Sequence, residues 1–165
     1  MRYTVHPSPL GDLLIAGPRP GAVASVSVPG QRGGATVAAD WRRDDAGFTA
    51  VREQFDAYFA GELTEFDLEL APTGTDFRRR VWDALDLIGY GETVSYTRVA
   101  ELAGLSPRSV RAVGGAVGAN PLMVVRPCHR VVGADGSLTG YAGGLDRKVA
   151  LLRLEGALTD QAAAD

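Results

Sequence analysis

The sequence predicts an α+β (α/β) protein in two parts: a small β-rich N-terminal domain over residues 1–74 and a helical C-terminal domain over residues 75–157. Three observations predict it. Residues 1–28 alternate short β-prone runs with proline–glycine turns. From Thr75 onward, three helix-start signals follow one another. Between the halves the charge balance changes sign: residues 1–75 carry six basic and ten acidic groups, residues 107–153 seven basic and two acidic. A chain of 165 residues suffices for two small domains packed together.

Taken in order, Arg2–Val5, Asp12–Ala16 and Ala22–Val28 read as strands, separated by Pro7-Ser8-Pro9-Leu10-Gly11 and Gly17-Pro18-Arg19-Pro20-Gly21. Residues 29–47, rich in Gly and Asp, read as a loop. Phe48, Val51, Phe55, Tyr58 and Phe59 share a helical face that Gly61 ends. Phe66, Leu68 and Leu70 alternate with charge as one more strand. His6, between strand and turn, reads as a structural or surface residue. Zinc is not expected, because this half has no cysteine and the whole chain has two histidines.

In the second half, Thr75 caps a helix from Asp76 to about Ile88, with Phe77, Val81, Trp82, Leu85 and Ile88 on one face. Ser95 caps a second helix ending at Gly104. Ser106-Pro107 opens a third, to about Val117. Two short helices joined by Ala103-Gly104-Leu105-Ser106 read as a helix-turn-helix. Ala112, Gly114, Gly115, Ala116 and Gly118 make the third helix slim. Each interior glycine costs about 0.5–1 kcal/mol relative to alanine, so core packing or close approach to a nucleic acid groove must compensate. Residues 158–165 read as a disordered tail.

A hydrophobic fraction of 45% and a charged fraction of 22% are ordinary for a soluble protein, and no run approaches a membrane span. The net charge of −3 hides the local excess of basic groups in residues 107–153, and phosphate affinity follows such local groups. The lone cysteine, Cys128, has no second thiol for exchange within the chain and fits a reducing compartment, with the cytoplasm as the expected location.

Cys128 sits in Pro127-Cys128-His129-Arg130, after the short apolar run Leu122–Val125 bounded by Pro121 and Pro127. A lone cysteine is more often a small buried hydrophobe than a nucleophile. Here an imidazole and two guanidinium groups adjoin it in sequence, which places the thiol to become a thiolate. At a thiol pKa of ~8.5, roughly 7% is ionised at pH 7.4, so full ionisation gains only about 13-fold, or ~1.5 kcal/mol. The larger part of any rate must come from orientation and leaving-group stabilisation.

Pro127-Cys128-His129-Arg130-Val131 resembles the signature of the O6-alkylguanine-DNA alkyltransferases, which strip alkyl groups from the O6 of guanine in DNA. The resemblance runs through Gly91-Glu92-Thr93-Val94-Ser95-Tyr96, Arg111-Ala112-Val113-Gly114-Gly115-Ala116, Asn120-Pro121, Gly140-Tyr141-Ala142-Gly143-Gly144-Leu145 and Leu151-Leu152-Arg153-Leu154-Glu155-Gly156. These ordered blocks cover about half the chain. Residues 1–74 match in general plan, with Phe59-Ala60-Gly61-Glu62-Leu63 the best fragment.

The resemblance implies a ribonuclease H-like N-terminal domain packed on a winged-helix-like C-terminal domain. It implies irreversible transfer of one alkyl group to Cys128, with no cofactor and no metal. His129 would accept the thiol proton and Glu155 would orient the imidazole. Tyr96 would hold the extruded nucleotide, Arg111 would fill the gap left by the flipped base, and Asn120 would tie the recognition helix to the active-site loop. Arg130 would serve substrate or DNA binding. Backbone groups of Val131, Tyr141 and Ala142 would read the base edges.

The implied partner is double-stranded DNA carrying O6-alkylguanine, with O4-alkylthymine a second candidate. The protein would be a monomer in solution, with cooperative binding on DNA an open alternative. Two departures stand out: Ser109-Val110 before Arg111, where alanines are usual, and Arg126, where an aliphatic residue is usual and a phosphate contact is the simplest role. Other readings are a Cys–His peptidase, a transcriptional regulator, and a lesion-binding relative without transfer. Relatives of that last kind lack the cysteine.

Overall fold

The structure, a computed structural model, describes residues 1–158. The expected disordered tail lies outside the described residues except for Leu158, whose amide donates to the Leu152 carbonyl. The chain divides into two compact units, Met1–Thr73 with Pro121–Val125, and Gly74–Asn120 with the remainder from Arg126.

The first unit is built on a four-stranded sheet of order β4-β2-β1-β5. β1 (Arg2–His6) runs antiparallel to β2 (Leu13–Gly17), which pairs antiparallel with β4 (Ser25–Ser27). The single strand expected over Ala22–Val28 is broken at Ala24. β3 (Ala22–Val23) pairs instead with β6 (Glu69–Leu70), which is all that the alternation at 66–70 yields.

The expected loop 29–47 also holds β5 (Arg42–Arg43), parallel to β1, and a 3-10 turn at Ala46–Phe48. Pairing with the chain start, through Arg42 N to Met1 O at 3.0 Å and Asp44 N to Tyr3 O at 2.8 Å, creates that strand; nothing local encodes it. α1 (Thr49–Phe59) buries Val51, Phe55 and Tyr58, as its helical face predicts. His6 is buried and structural. Arg52 Nε donates to its Nδ1 at 3.1 Å, so its Nε2–H donates to Asp56 at 2.7 Å and joins β1 to α1.

Pro121–Val125 extends this unit: Val26 N donates to Pro121 O at 2.8 Å and Met123 N to Val26 O at 3.2 Å. Val124 then takes φ 71°, the one non-glycine residue at positive φ among those described, and Val125 N closes a γ-turn onto Met123 O at 2.8 Å.

The second unit is helical. α2 (Asp76–Leu85) starts where Thr75 Oγ1 accepts from Arg78 N, and it buries Val81, Trp82, Ala84 and Leu85. It ends short of Ile88, because Leu87 and Ile88 close tight turns onto Ala84 and Leu85; Ile88 is nonetheless buried. Phe77, expected on the inner face, is exposed. Ser95 caps α3 (Tyr96–Leu102), as its hydroxyl predicts. Ser106 caps a 3-10 turn, Pro107–Ser109, from which α4 (Val110–Gly118) continues.

Arg80 holds the turn between the latter two helices by donating to the carbonyls of Ala103 and Gly104. β7 (Val94–Ser95) pairs parallel with β8 (Val131–Val132), and α5 (Leu145–Leu154) closes the unit.

Trp82 is the hub of this packing: its ring is 2% exposed and its Nε1 donates to Ala116 O of α4 at 2.9 Å. Gly74 lies against that ring, and a Cβ there would come within 2.5 Å of it. A buried indole wedged by its own hydrogen bond cannot step aside. Gly74→Ala is therefore expected to destabilise the protein by about 1–3 kcal/mol, the usual range for overpacking, measured as a lowered urea midpoint with unchanged m-value.

Candidate active site

Cys128 opens a 3-10 turn, Cys128–Arg130, whose three residues are all buried. Pro127 precedes it at φ −81°, ψ 55°, and Cys128 N donates back to Arg126 O at 2.8 Å. The same carbonyl accepts from Asn120 Nδ2 at 3.2 Å. Asn120 follows the C-terminus of α4, so the end of that helix and the cysteine turn share one acceptor.

The sulfur is 5% exposed. Burial pushes its thiol above the ordinary value; a hydrogen bond with the Asn120 side chain and the charges of Lys148 and Arg126 pull the other way without prevailing. Sequence adjacency to cations does not outweigh desolvation here. Burial thus favours the protonated sulfur.

His129 is fully buried, with Nε2 2.9 Å from Glu155 Oε2. With Nε2–H donated to the carboxylate, Nδ1 is an acceptor, and it has no hydrogen-bond partner among the described residues. Burial holds the imidazole below its ordinary pKa, although Glu155 raises it. Glu155 sits at the C-cap of α5, 4% exposed.

Arg130 has a different place from the one expected. Its Nε and Nη2 clasp Glu155 at 2.7 and 2.9 Å, its Nη1 donates to Ile88 O at 2.6 Å, and its guanidinium stands 5.8 Å from the Tyr90 ring centre. It is 7% exposed, with every guanidinium nitrogen engaged inside the fold. Arg126, read from the sequence as a phosphate contact, is inward, ion-paired to Asp86 at 3.3 Å with its guanidinium 5.4 Å from the Trp82 ring centre.

Lys148 was missed as a site residue. It is fully buried on α5, its Nζ donating to Val131 O at 2.5 Å and Thr139 O at 2.9 Å, and burial lowers its pKa to about 8. Its one sequence signal was a lysine four residues past Gly144, at a position a surface helix would equally fill. The clasp joins β8 to the loop that leads to Tyr141 and Ala142. Tyr141 is buried and Ala142 half-buried. Tyr96, at the first position of α3, is half-buried; its hydroxyl accepts from Thr139 Oγ1 at 3.4 Å, at the edge of the same loop.

Arg111 is exposed on α4, on one face with Ala112, Gly115 and Gly118. A Cβ placed on Gly115 or Gly118 would meet nothing within 4 Å. Core packing does not require these glycines, which leaves an outward reason for the slim face.

The fold and site define a class: a helix-turn-helix unit carrying a buried thiol beside a His–Glu pair, following an N-terminal unit built on a β-sheet. Comparison with known proteins gives the family. Residues 1–72 match the family model "6-O-methylguanine DNA methyltransferase, ribonuclease-like domain", and residues 76–157 the model of the same family's DNA binding domain. A methylated-DNA–protein-cysteine methyltransferase of Mycolicibacterium paratuberculosis is 49% identical over 94% of this chain and 92% of its own length. One of Methanosarcina acetivorans is 46% identical, over 94% and 99%. The crystal structure of Mycobacterium tuberculosis OGT in complex with DNA superposes with a TM-score of 0.88 at 46% identity, covering all of both chains. This chain belongs to the O6-methylguanine-DNA methyltransferase family.

Gly115→Ala separates fold from contact. Because nothing occupies the space beside Gly115, the variant is expected to gain about 0.5–1 kcal/mol in stability. It is also expected to bind duplex DNA less tightly, by titration of a labelled oligonucleotide at fixed salt. Unchanged binding would leave the slim face without a role.

Proposed function

We propose that this protein extrudes O6-alkylguanine from duplex DNA and transfers the alkyl group irreversibly to Cys128, once per chain. The observation that carries the reading is the placement of the one thiol: buried, hydrogen-bonded by Asn120, faced by the cation of Lys148, and followed by a His–Glu pair with a free imidazole acceptor.

His129 Nδ1 takes the thiol proton, directly or through water, and Glu155 stabilises the imidazolium. The thiolate attacks the alkyl carbon in line, the carbon–O6 bond breaks, and its electron pair leaves on the guanine, which regains a proton from the imidazolium or solvent. Tyr96 donates to the leaving base as charge builds. Lys148 favours the thiolate by its charge and, through its two carbonyls, sets the wall formed by Val131 and the loop to Tyr141 and Ala142. Backbone groups of that wall recognise the base edges. Since burial disfavours the thiolate, removing the proton costs more than the ~1.5 kcal/mol of an ordinary thiol. The product thioether is a poor leaving group, and no second thiol exists in the chain to remove it.

Extrusion is needed because the O6 substituent of a stacked base is out of reach. Arg111, exposed at the start of α4, fills the gap. Among the described residues, no helix is long and apolar enough to cross a membrane. The cytoplasm suits a lone thiol that must stay reduced.

Incubation with DNA carrying one O6-methylguanine, followed by intact mass measurement, is expected to show one added methyl group on Cys128 and at most one equivalent per chain. Cys128→Ser is expected to abolish transfer and retain DNA binding. Turnover beyond one equivalent without added thiol would refute the single-use mechanism.

Arg111→Ala is expected to slow repair of duplex DNA far more than reaction with free O6-benzylguanine, which needs no gap filled. Equal losses on both substrates would return Arg111 to a supporting role in the fold.

A further inference from the structure

Each helix of the helix-turn-helix is anchored to the cysteine turn or its neighbourhood at the end away from the turn that joins them. α3 starts where β7 pairs with β8, Val94 opposite Val131 and Ser95 opposite Val132. Tyr96 is thereby tied to the strand that follows the cysteine turn. α4 is fastened in its second half: Ala116 O accepts from Trp82 Nε1 at 2.9 Å, and Asn120, just past its end, donates to Arg126 O at 3.2 Å. Arg111 lies at the other end of α4, next to the joining turn.

α3 ends in a Schellman turn: Leu105 N donates to Ala100 O at 2.8 Å and Gly104 N to Glu101 O at 2.9 Å, with Gly104 at φ 70°. The carbonyls of Ala103 and Gly104 come next, and Arg80 takes both from α2, Nε at 2.7 Å and Nη2 at 3.2 Å. A Cβ on Gly104 would come within 3.1 Å of Nη2, so the guanidinium lies directly on the turn. Arg80 is exposed, and its removal opens no cavity. A planar fork on two successive carbonyls fixes direction as well as distance. α2 therefore grips the turn through Arg80 and α4 through Trp82.

We propose that Arg80 is a positioning residue for extrusion of the base: by gripping the turn it sets where the start of α4, and with it Arg111, stands relative to Tyr96. This rests on the reading of Arg111 as the side chain that fills the gap in the duplex. Tyr96 and Cys128 keep their places without Arg80, because the pairing of β7 with β8 and the Asn120 bond lie at the far ends of the two helices. Loosening the turn leaves the chemistry at sulfur alone and displaces the gap-filling side chain.

The test compares the parent full-length chain with Arg80→Met, Arg80→Lys, Arg111→Ala and the double variant Arg80→Met with Arg111→Ala. Each reacts with free O6-benzylguanine and, in a single turnover at saturating concentration, with duplex DNA carrying one O6-methylguanine. Arg80→Met is expected to slow the duplex reaction about three- to tenfold, the usual worth of a hydrogen bond near the surface, and to leave the free-base rate unchanged. Arg80→Lys, which keeps the charge and reaches one carbonyl, is expected to recover part of the loss. The double variant is expected to be no slower on duplex than Arg111→Ala, since a misplaced arginine and an absent one leave the same gap.

Equal losses on both substrates would make Arg80 a support of the fold. Losses that multiply in the double variant would make it act on DNA by itself, as a phosphate contact does. Either result overturns the proposal. If Arg80→Met does not fold, Arg80→Lys decides in the same two backgrounds: a duplex-only loss that vanishes when Arg111 is replaced by alanine supports the proposal, and any other result ends it. A duplex-only loss in Arg111→Ala beside none in Arg80→Met strikes this proposal alone. Arg111→Ala slowing both substrates alike strikes the gap-filling reading and this proposal with it, and a parent chain that takes no methyl group from the duplex ends the proposed function and this inference together.

Discussion

The carboxylate of Glu155 meets two partners that both need it, and much of the second unit is arranged around that fact. It accepts His129 Nε2 with one oxygen and a two-pronged clasp from Arg130 across both. Through Arg130 the clasp continues to Ile88 O and the Tyr90 ring, so the cap of α5, the cysteine turn and the chain leaving α2 are joined by one set of charged contacts. Removing one partner from a buried pair of this kind costs about 3–5 kcal/mol, because the charge left behind has neither water nor a counter-charge. Glu155 is thus structural and electrostatic at once. Its clasp on Arg130 adds to the role toward the imidazole that the sequence suggests.

Sharing has a consequence for the chemistry. A carboxylate already neutralised by a guanidinium supports an imidazolium less than a bare one does, and Arg130 itself opposes charge on His129. Burial acts in the same sense on both reacting groups, lifting the thiol and lowering the imidazole. Both shifts favour the neutral pair, a thiol and an imidazole. A neutral sulfur in a dry site is protected from adventitious electrophiles and oxidants, which matters where each alkylation ends the life of the molecule. Asn120 and Lys148 set how far the neutral pair lies from the ionised one.

What could be read from the sequence was local. Thr75, Ser95 and Ser106 mark their helices because a capping hydroxyl acts within three residues, and the tetrapeptide around Cys128 marks its turn because proline and a polar cluster do so without help from elsewhere. The contacts that escaped are long-range. β5 exists only because residues 42–44 meet the chain start. Arg126, Arg130 and Lys148 count in the sequence among the groups open to phosphate because such side chains are seldom buried unless paired, and their partners lie 40, 25 and 17 residues away. Charge counted along the chain therefore overstated what the second unit can offer to phosphate: three of the seven basic groups in residues 107–153 are enclosed in the fold.

Val124 shows how local preference yields to tertiary demand. A β-branched residue at φ 71° is strained by about 1–3 kcal/mol, and glycine would remove that strain. Yet Val124 is 2% exposed, and its side chain fills a place that glycine would leave empty. The backbone around it is under two constraints within a few residues. Pro121 and Met123 are hydrogen-bonded to Val26 on β4, and Arg126 O must receive both Asn120 and Cys128. Reversing the chain between those anchors takes a γ-turn at Val124, the tightest reversal available. The burial of the valine, worth about 1.5–3 kcal/mol, offsets a strain of similar size. The reversal at Val124 is therefore held by the hydrogen bonds of Pro121 and Met123 to Val26 and is not a conformation that its own residues prefer.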